Sequence, residues 1–96
     1  MLMSLADEKF YVGEIVYSKG MDDDYTVAYI NLEKDRVLLV RNDEVAFDKY
    51  IVAYGMCRDR NDKKTVVWNQ GHYYEENQFD AAVSYVMDKP NKRKGG

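Results

Sequence analysis

Few side chains in this sequence could carry chemistry, and they are poorly grouped for it. The single histidine, His72, could act as a general base near neutral pH. A base needs a nucleophile or an orienting carboxylate, however, and only Glu75 and Glu76 are close to it in sequence. The single cysteine, Cys57, has Arg58 and Arg60 beside it, which could lower a thiol pKa. Its place in an alternating apolar run reads instead as a small buried hydrophobe. One cysteine and one histidine cannot supply the roughly four sulfur or nitrogen ligands of a structural zinc site. Asp22-Asp23-Asp24 begins like a calcium loop, but such a loop alternates its ligands, holds a central glycine and closes on a bidentate glutamate, and none of these follows. The six glycines are scattered, so no loop is built to cradle a phosphate. The expectation is a protein without catalytic residues, metal or cofactor, and not an enzyme.

What remains is surface chemistry. Nine tyrosines in 96 residues are the main excess. Tyrosine suits strands, offers large contact area at protein interfaces, and can stack on nucleic-acid bases. Base stacking requires cations nearby for the phosphates, and the charge distribution argues against it. Lys89, Lys92, Arg93 and Lys94 lie in or beside the C-terminal tail, so positions 1–88 hold 10 basic against 17 acidic residues, a net of −7. An acidic body favours basic partners and disfavours direct nucleic-acid binding, although the same charge also serves plain solubility. Lys92-Arg93-Lys94 is too short to argue the reverse.

The elements that must position these groups read as follows. Residues 1–9 suit a short helical turn with Ser4 as a cap. Phe10–Ser18 reads as a strand, 19–24 as a loop in which three adjacent aspartates repel one another too strongly for a sheet, and 25–32 with 36–41 as a hairpin. Val45–Phe47 fits either a strand or a turn of helix. Lys49–Arg58 alternates as one strand, and a charged loop joins it to the strand 64–70. Gly71 then reads as a break, which puts His72, Tyr73 and Tyr74 at a strand–helix joint. Phe79, Ala82, Val83, Val86 and Met87 form one apolar stripe at helical spacing, with Asn77 as N-cap and Pro90 as terminator. These signals predict an α+β fold: an antiparallel meander of four to five strands, with one C-terminal helix over 77–89 packed on one face. A single domain over 1–90 and a loose basic tail over 91–96 complete it. No apolar run reaches the ~20 residues of a membrane span, and Met1–Ala6 lacks the features of an export signal. With one cysteine, a reducing cytoplasm is the expected setting.

The stretch Trp68-Asn69-Gln70-Gly71-His72-Tyr73-Tyr74, its acidic spacer and Phe79-Asp80-Ala81-Ala82-Val83, preceded by Tyr50-Ile51-Val52-Ala53-Tyr54, resembles the ends of small accessory proteins of phages and integrated elements in Gram-positive bacteria. It consists mainly of packing residues and covers roughly the second half of the chain. The resemblance implies a compact protein that interferes with host defence inside the bacterial cytoplasm, as anti-CRISPR proteins do, by occluding a nucleic-acid site on a target such as an RNA-guided nuclease. The expected contacts are Asp22, Asp23 and Asp24, with Tyr73, Tyr74, Glu75 and Glu76 as an aromatic and acidic patch for a basic host protein. A second reading is a small-molecule binder, sequestering a nucleotide signal through tyrosines and Arg58 or Arg60.

Overall fold

Seven strands and one helix make up the regular structure of the computed structural model, which describes residues 10–43 and 48–87. The strands are β1 (Ile15–Ser18), β2 (Asp23–Asn31), β3 (Arg36–Arg41), β4 (Tyr50–Tyr54), β5 (Cys57–Arg58), β6 (Thr65–Val67) and β7 (Gln70–Tyr74). A 3-10 turn at Glu76–Gln78 leads into helix α1 (Phe79–Met87). One sheet holds all the strands in the order β5-β6-β1-β2-β3-β4-β7. Every neighbouring pair is antiparallel except β1 with β6, which is parallel. The α+β class, the mostly antiparallel sheet and the C-terminal helix match the expectation. The strand number exceeds the expected four to five, and the order is not that of a simple meander.

The extra strands come from bends. The run 49–58, expected as one strand, divides into β4 and β5 at Gly55, whose φ of 61° lies in the left-handed region and where a Cβ would sit 2.6 Å from Asn69 Nδ2. The positive φ favours glycine there, and a side chain would also have to push Asn69 aside. Opposite it, Trp68 and Asn69 separate β6 from β7, and the Asn69 amide donates to the Tyr54 carbonyl at 3.0 Å. Each bend joins its two strands through about 10 Å of chain, yet β5 and β7 lie at opposite ends of the strand order. The sheet must therefore coil on itself, its ends brought together by the two short bends, while β1 and β6 pair in parallel, Tyr17 with Thr65 and Ser18 with Val66.

Coiling gives the sheet an inside and an outside. Val16, Tyr25, Val27, Val37, Leu39, Ile51, Ala53, Met56 and Val66 fill the concave interior. Leu38 and Val52 face outward and are buried beneath Ala82 and Val86 of α1. The central strands are thus covered on both faces, which explains why Val37-Leu38-Leu39 and Ile51-Val52-Ala53 are continuously apolar rather than alternating. At its C-terminal end α1 is tied to the sheet by Asn31 Nδ2 donating to the Val86 carbonyl (2.9 Å) and Arg36 Nη1 donating to the Tyr85 carbonyl (2.7 Å). Both bonds satisfy carbonyls that lack partners within a helix, and the guanidinium meets the negative end of the helix dipole.

Several local expectations require correction. The first strand is limited to Ile15–Ser18, because Gly13 turns the preceding chain at φ 95° and Glu14 Oε1 accepts the Tyr11 amide at 3.3 Å. Asp23 and Asp24 lie within β2 and not in a loop. Their side chains differ in surroundings, Asp23 half-buried and ion-paired with Arg41 (2.8 Å) and Asp24 exposed, so the repulsion that argued against a sheet is relieved. Gly71 continues β7, and His72 is a mid-strand residue paired with Val52. The turn into the helix begins at Glu75, whose amide donates to Gln78 Oε1 at 2.9 Å, so Asn77 is not the cap. Regular helix starts at Phe79. The expected N-terminal turn, the segment 45–47, the last helical residues 88–89 and the tail lie outside the described residues.

Candidate binding surface

The register of the sheet decides which charges meet. Thr26 pairs with Val40, Val40 with Tyr50, and Tyr50 with Tyr74. One residue further out on each strand are Tyr25, Arg41, Lys49 and Glu75. That end of the sheet also carries Asp24, Asp43, Asp48 and Glu76. Asn42 fixes Asp43 there by donating its amide to the Asp24 carbonyl (3.1 Å), and Arg41 fixes Asp48 by donating to the Lys49 carbonyl (2.8 Å). Asp24, Asp43, Glu75 and Glu76 are exposed and Asp48 half-buried. Of the cations at this end, Arg41 is held by Asp23 (2.8 Å), and Lys49 reaches the Asp43 carbonyl at 3.5 Å. The Arg41 hydrogen bond holds the Asp23 carboxyl below the usual carboxylate range.

The residues expected to make contact are only partly brought together. Asp24 and Glu75 share the end of the sheet but are separated by β3 and β4, about 14 Å at the usual strand spacing. Asp22 lies in the β1–β2 turn at φ 55° and accepts a hydrogen bond from the Tyr17 hydroxyl, which raises the pKa of that phenol. Asp23 is occupied by Arg41. Tyr74 turns to the outer face and packs half-buried against the helix layer. Tyr73 turns the other way, toward the coiled interior, and remains 44% exposed. In that interior the Tyr25 and Trp68 rings meet edge to face at 6.0 Å. Arg41, Asp48, Tyr25 and Trp68 are not among the contacts expected from the sequence. Their association depends on strand register, for which no local signal exists.

His72 serves the helix. Its Nε2 lies 3.0 Å from the Tyr85 hydroxyl, which accepts a hydrogen bond from Tyr54. The Arg36 guanidinium stands 4.6 Å from the Tyr85 ring and 5.1 Å from that of Tyr54. Burial, then the Tyr85 hydrogen bond, push Tyr54 up to about 12, and burial pushes Tyr25 up to about 12. Raised phenol pKa values are the opposite of an activated tyrosine nucleophile. They do link stability to pH: a group whose folded pKa exceeds its unfolded value of about 10 stabilises fully below pH 10 and loses that contribution as pH rises through 12. Alkaline titration should show a first phase of phenolate absorbance from the exposed tyrosines, then a late phase near pH 12 that coincides with unfolding. Ionisation of all tyrosines in one phase at ordinary pH would contradict the burial of Tyr25 and Tyr54.

Cys57 is half-buried, not fully buried as expected. Arg58, a candidate for pairing with a small ligand, binds Glu14 through two hydrogen bonds (2.7 and 3.1 Å), donates to the Lys63 carbonyl (2.8 Å) and stands over Phe10 at 4.3 Å. An open groove of about 350 Å³ lies between Tyr17, Lys19, Asp59, Asn61, Asp62 and Thr65. Both of its carboxylates cap neighbouring groups, Asp59 the Asn61 amide and Asp62 the Lys64 amide and Thr65 hydroxyl. Among the described residues no three of His, Cys, Asp and Glu converge to hold a metal, and no helix is long and apolar enough to cross a membrane. Fold and surface thus define a small α+β domain with a coiled sheet, one acidic end and one docked helix. Comparison with protein-family models, curated proteins and solved structures found no match.

Proposed function

We propose that this is a non-enzymatic binding protein whose acidic end covers a basic, nucleic-acid-contacting surface of another protein. The observation that carries this reading is the concentration of exposed carboxylates (Asp24, Asp43, Glu75 and Glu76) on one end of the sheet, with the exposed Tyr73 one register pair in from it. Complementary charge accelerates association and excludes like-charged partners, and a half-exposed aromatic ring is the usual kind of anchor. The setting implied by the resemblance is inhibition of a host defence protein, such as an RNA-guided nuclease, in the cytoplasm of a bacterial cell.

The test compares the wild-type protein with a triple variant, Asp24→Lys, Glu75→Lys, Glu76→Lys, as baits in bacterial lysate. The wild type should retain nucleic-acid-binding proteins, and added nucleic acid should compete them off. The folded triple variant should lose that capture, whereas a variant lacking 91–96 should keep it. Capture that survives charge reversal but needs the tail would overturn the reading.

A further inference from the structure

Three hydrogen-bonding side chains from three elements meet under the helix: Tyr54 on β4, Tyr85 on α1 and His72 on β7. Tyr54 donates to the Tyr85 hydroxyl oxygen. A hydroxyl carries one proton, so Tyr85 has its own left to give, and His72 Nε2 lies 3.0 Å away. Nε2 accepts that bond only in a neutral ring whose hydrogen sits on Nδ1. The chain then runs in one direction, from Tyr54 through Tyr85 to His72. The same rings pack on the imidazole, Tyr85 edge to face at 4.6 Å and Tyr54 tilted at 5.7 Å. From β3, the Arg36 guanidinium stands 4.6 Å from the Tyr85 ring and 5.1 Å from that of Tyr54. Tyr74, two residues along β7, packs in the same layer, where burial raises its phenol pKa and both Tyr85 and Arg36 act on it.

We propose that His72 is an acid-sensitive latch, and that proton uptake by its imidazole loosens α1 from the sheet. Protonation puts a hydrogen on Nε2, aimed at the Tyr85 oxygen. That oxygen then faces two donors, and the Tyr85 proton loses its acceptor. Protonation also sets a second cation against the two rings that Arg36 already occupies, in a half-buried place where like charges repel more strongly than in water. Both effects fall on Tyr85, whose carbonyl is the one Arg36 holds at 2.7 Å. A helix of nine residues has little stability of its own, so a weaker tie here is a weaker helix. His72 is the only histidine in the chain, the side-chain type whose ordinary titration falls between about pH 5 and 8. The latch is independent of the acidic-end reading.

Two measurements on the intact protein test it. Nitrogen NMR of the single imidazole at about pH 7.5 should show the tautomer with its proton on Nδ1. Denaturant unfolding is then compared at about pH 7.5 and about pH 5.5, which bracket the ordinary histidine titration, for the wild type and for His72→Gln. The glutamine amide oxygen accepts the Tyr85 bond at either pH, and the carboxylates that begin to titrate in acid are common to both proteins. The unfolding equilibrium constant of the wild type should rise toward acid roughly fivefold more than that of the variant, the usual worth of one side-chain hydrogen bond. Should His72→Gln not fold, Tyr85→Phe keeps the ring and removes the hydroxyl, and its acid response should be smaller than that of the wild type. A proton on Nε2 at about pH 7.5, an acid response of the wild type no larger than that of the folded variant, or a gain in its relative stability in acid would each overturn the proposal.

Discussion

Val86→Asp should destabilise the protein by more than about 3 kcal/mol, enough to leave a domain of this size largely unfolded near physiological temperature. Val86 is fully buried, in one cluster with Leu38, Val52 and Ala82, so a carboxylate there would be unpaired between two apolar layers. A helix of nine residues has little stability of its own in water, so the loss of docking should also be the loss of the helix. Val83→Asp should cost less, because Val83 is only half-buried on the same stripe. Denaturant unfolding followed by circular dichroism tests the order. Equal midpoints for wild type and Val86→Asp would mean that the helix does not seal the outer face of β3 and β4.

The second large effect concerns Arg58 and Glu14, whose side chains are 15% and 10% exposed and meet at 2.7 Å. Arg58→Met should cost about 3 kcal/mol, because the Glu14 carboxylate stays in a poorly solvated place without its counter-ion. Adding Glu14→Leu should recover most of that loss, since an apolar pair of similar volume needs no desolvation of charge. The pair clamps β5 to the chain entering β1, two segments 44 residues apart. A double variant no more stable than Arg58→Met would show that the clamp matters for its geometry and not for charge compensation.

These two sites differ in how far the sequence announced them. The stripe Ala82, Val83 and Val86 repeats at the helical period, so the helix and its apolar face could be read locally. The hairpin of β2 and β3 could be read as well, from two strand-like runs with a polar turn between them. The Arg58–Glu14 clamp, the bend at Gly55 and the parallel pairing of β1 with β6 could not, because each is set by a partner far along the chain. Gly55 looks like any glycine in a strand until Asn69 is found against it. Asp23 shows the same limit within the candidate site. Three adjacent aspartates read as a repelling loop, and only the register of β2 on β3 reveals that Arg41 takes one of them. Of the expected contact residues, Asp22, Asp24, Tyr73, Glu75 and Glu76 are exposed. Tyr73 and Tyr74 were read together, but strand alternation sends them to opposite faces.

The measurement that tests the acidic-end reading most directly is the association rate with a captured partner, taken across a range of ionic strength for the wild type and for the Asp24→Lys, Glu75→Lys, Glu76→Lys variant. Steering by opposite charge should make wild-type association fast at low salt and progressively slower as salt rises, with a smaller effect on dissociation. The variant should associate at least about tenfold more slowly at low salt and lose most of the salt dependence. Identical rates for the two proteins, or association that quickens with salt, would contradict binding through the acidic end.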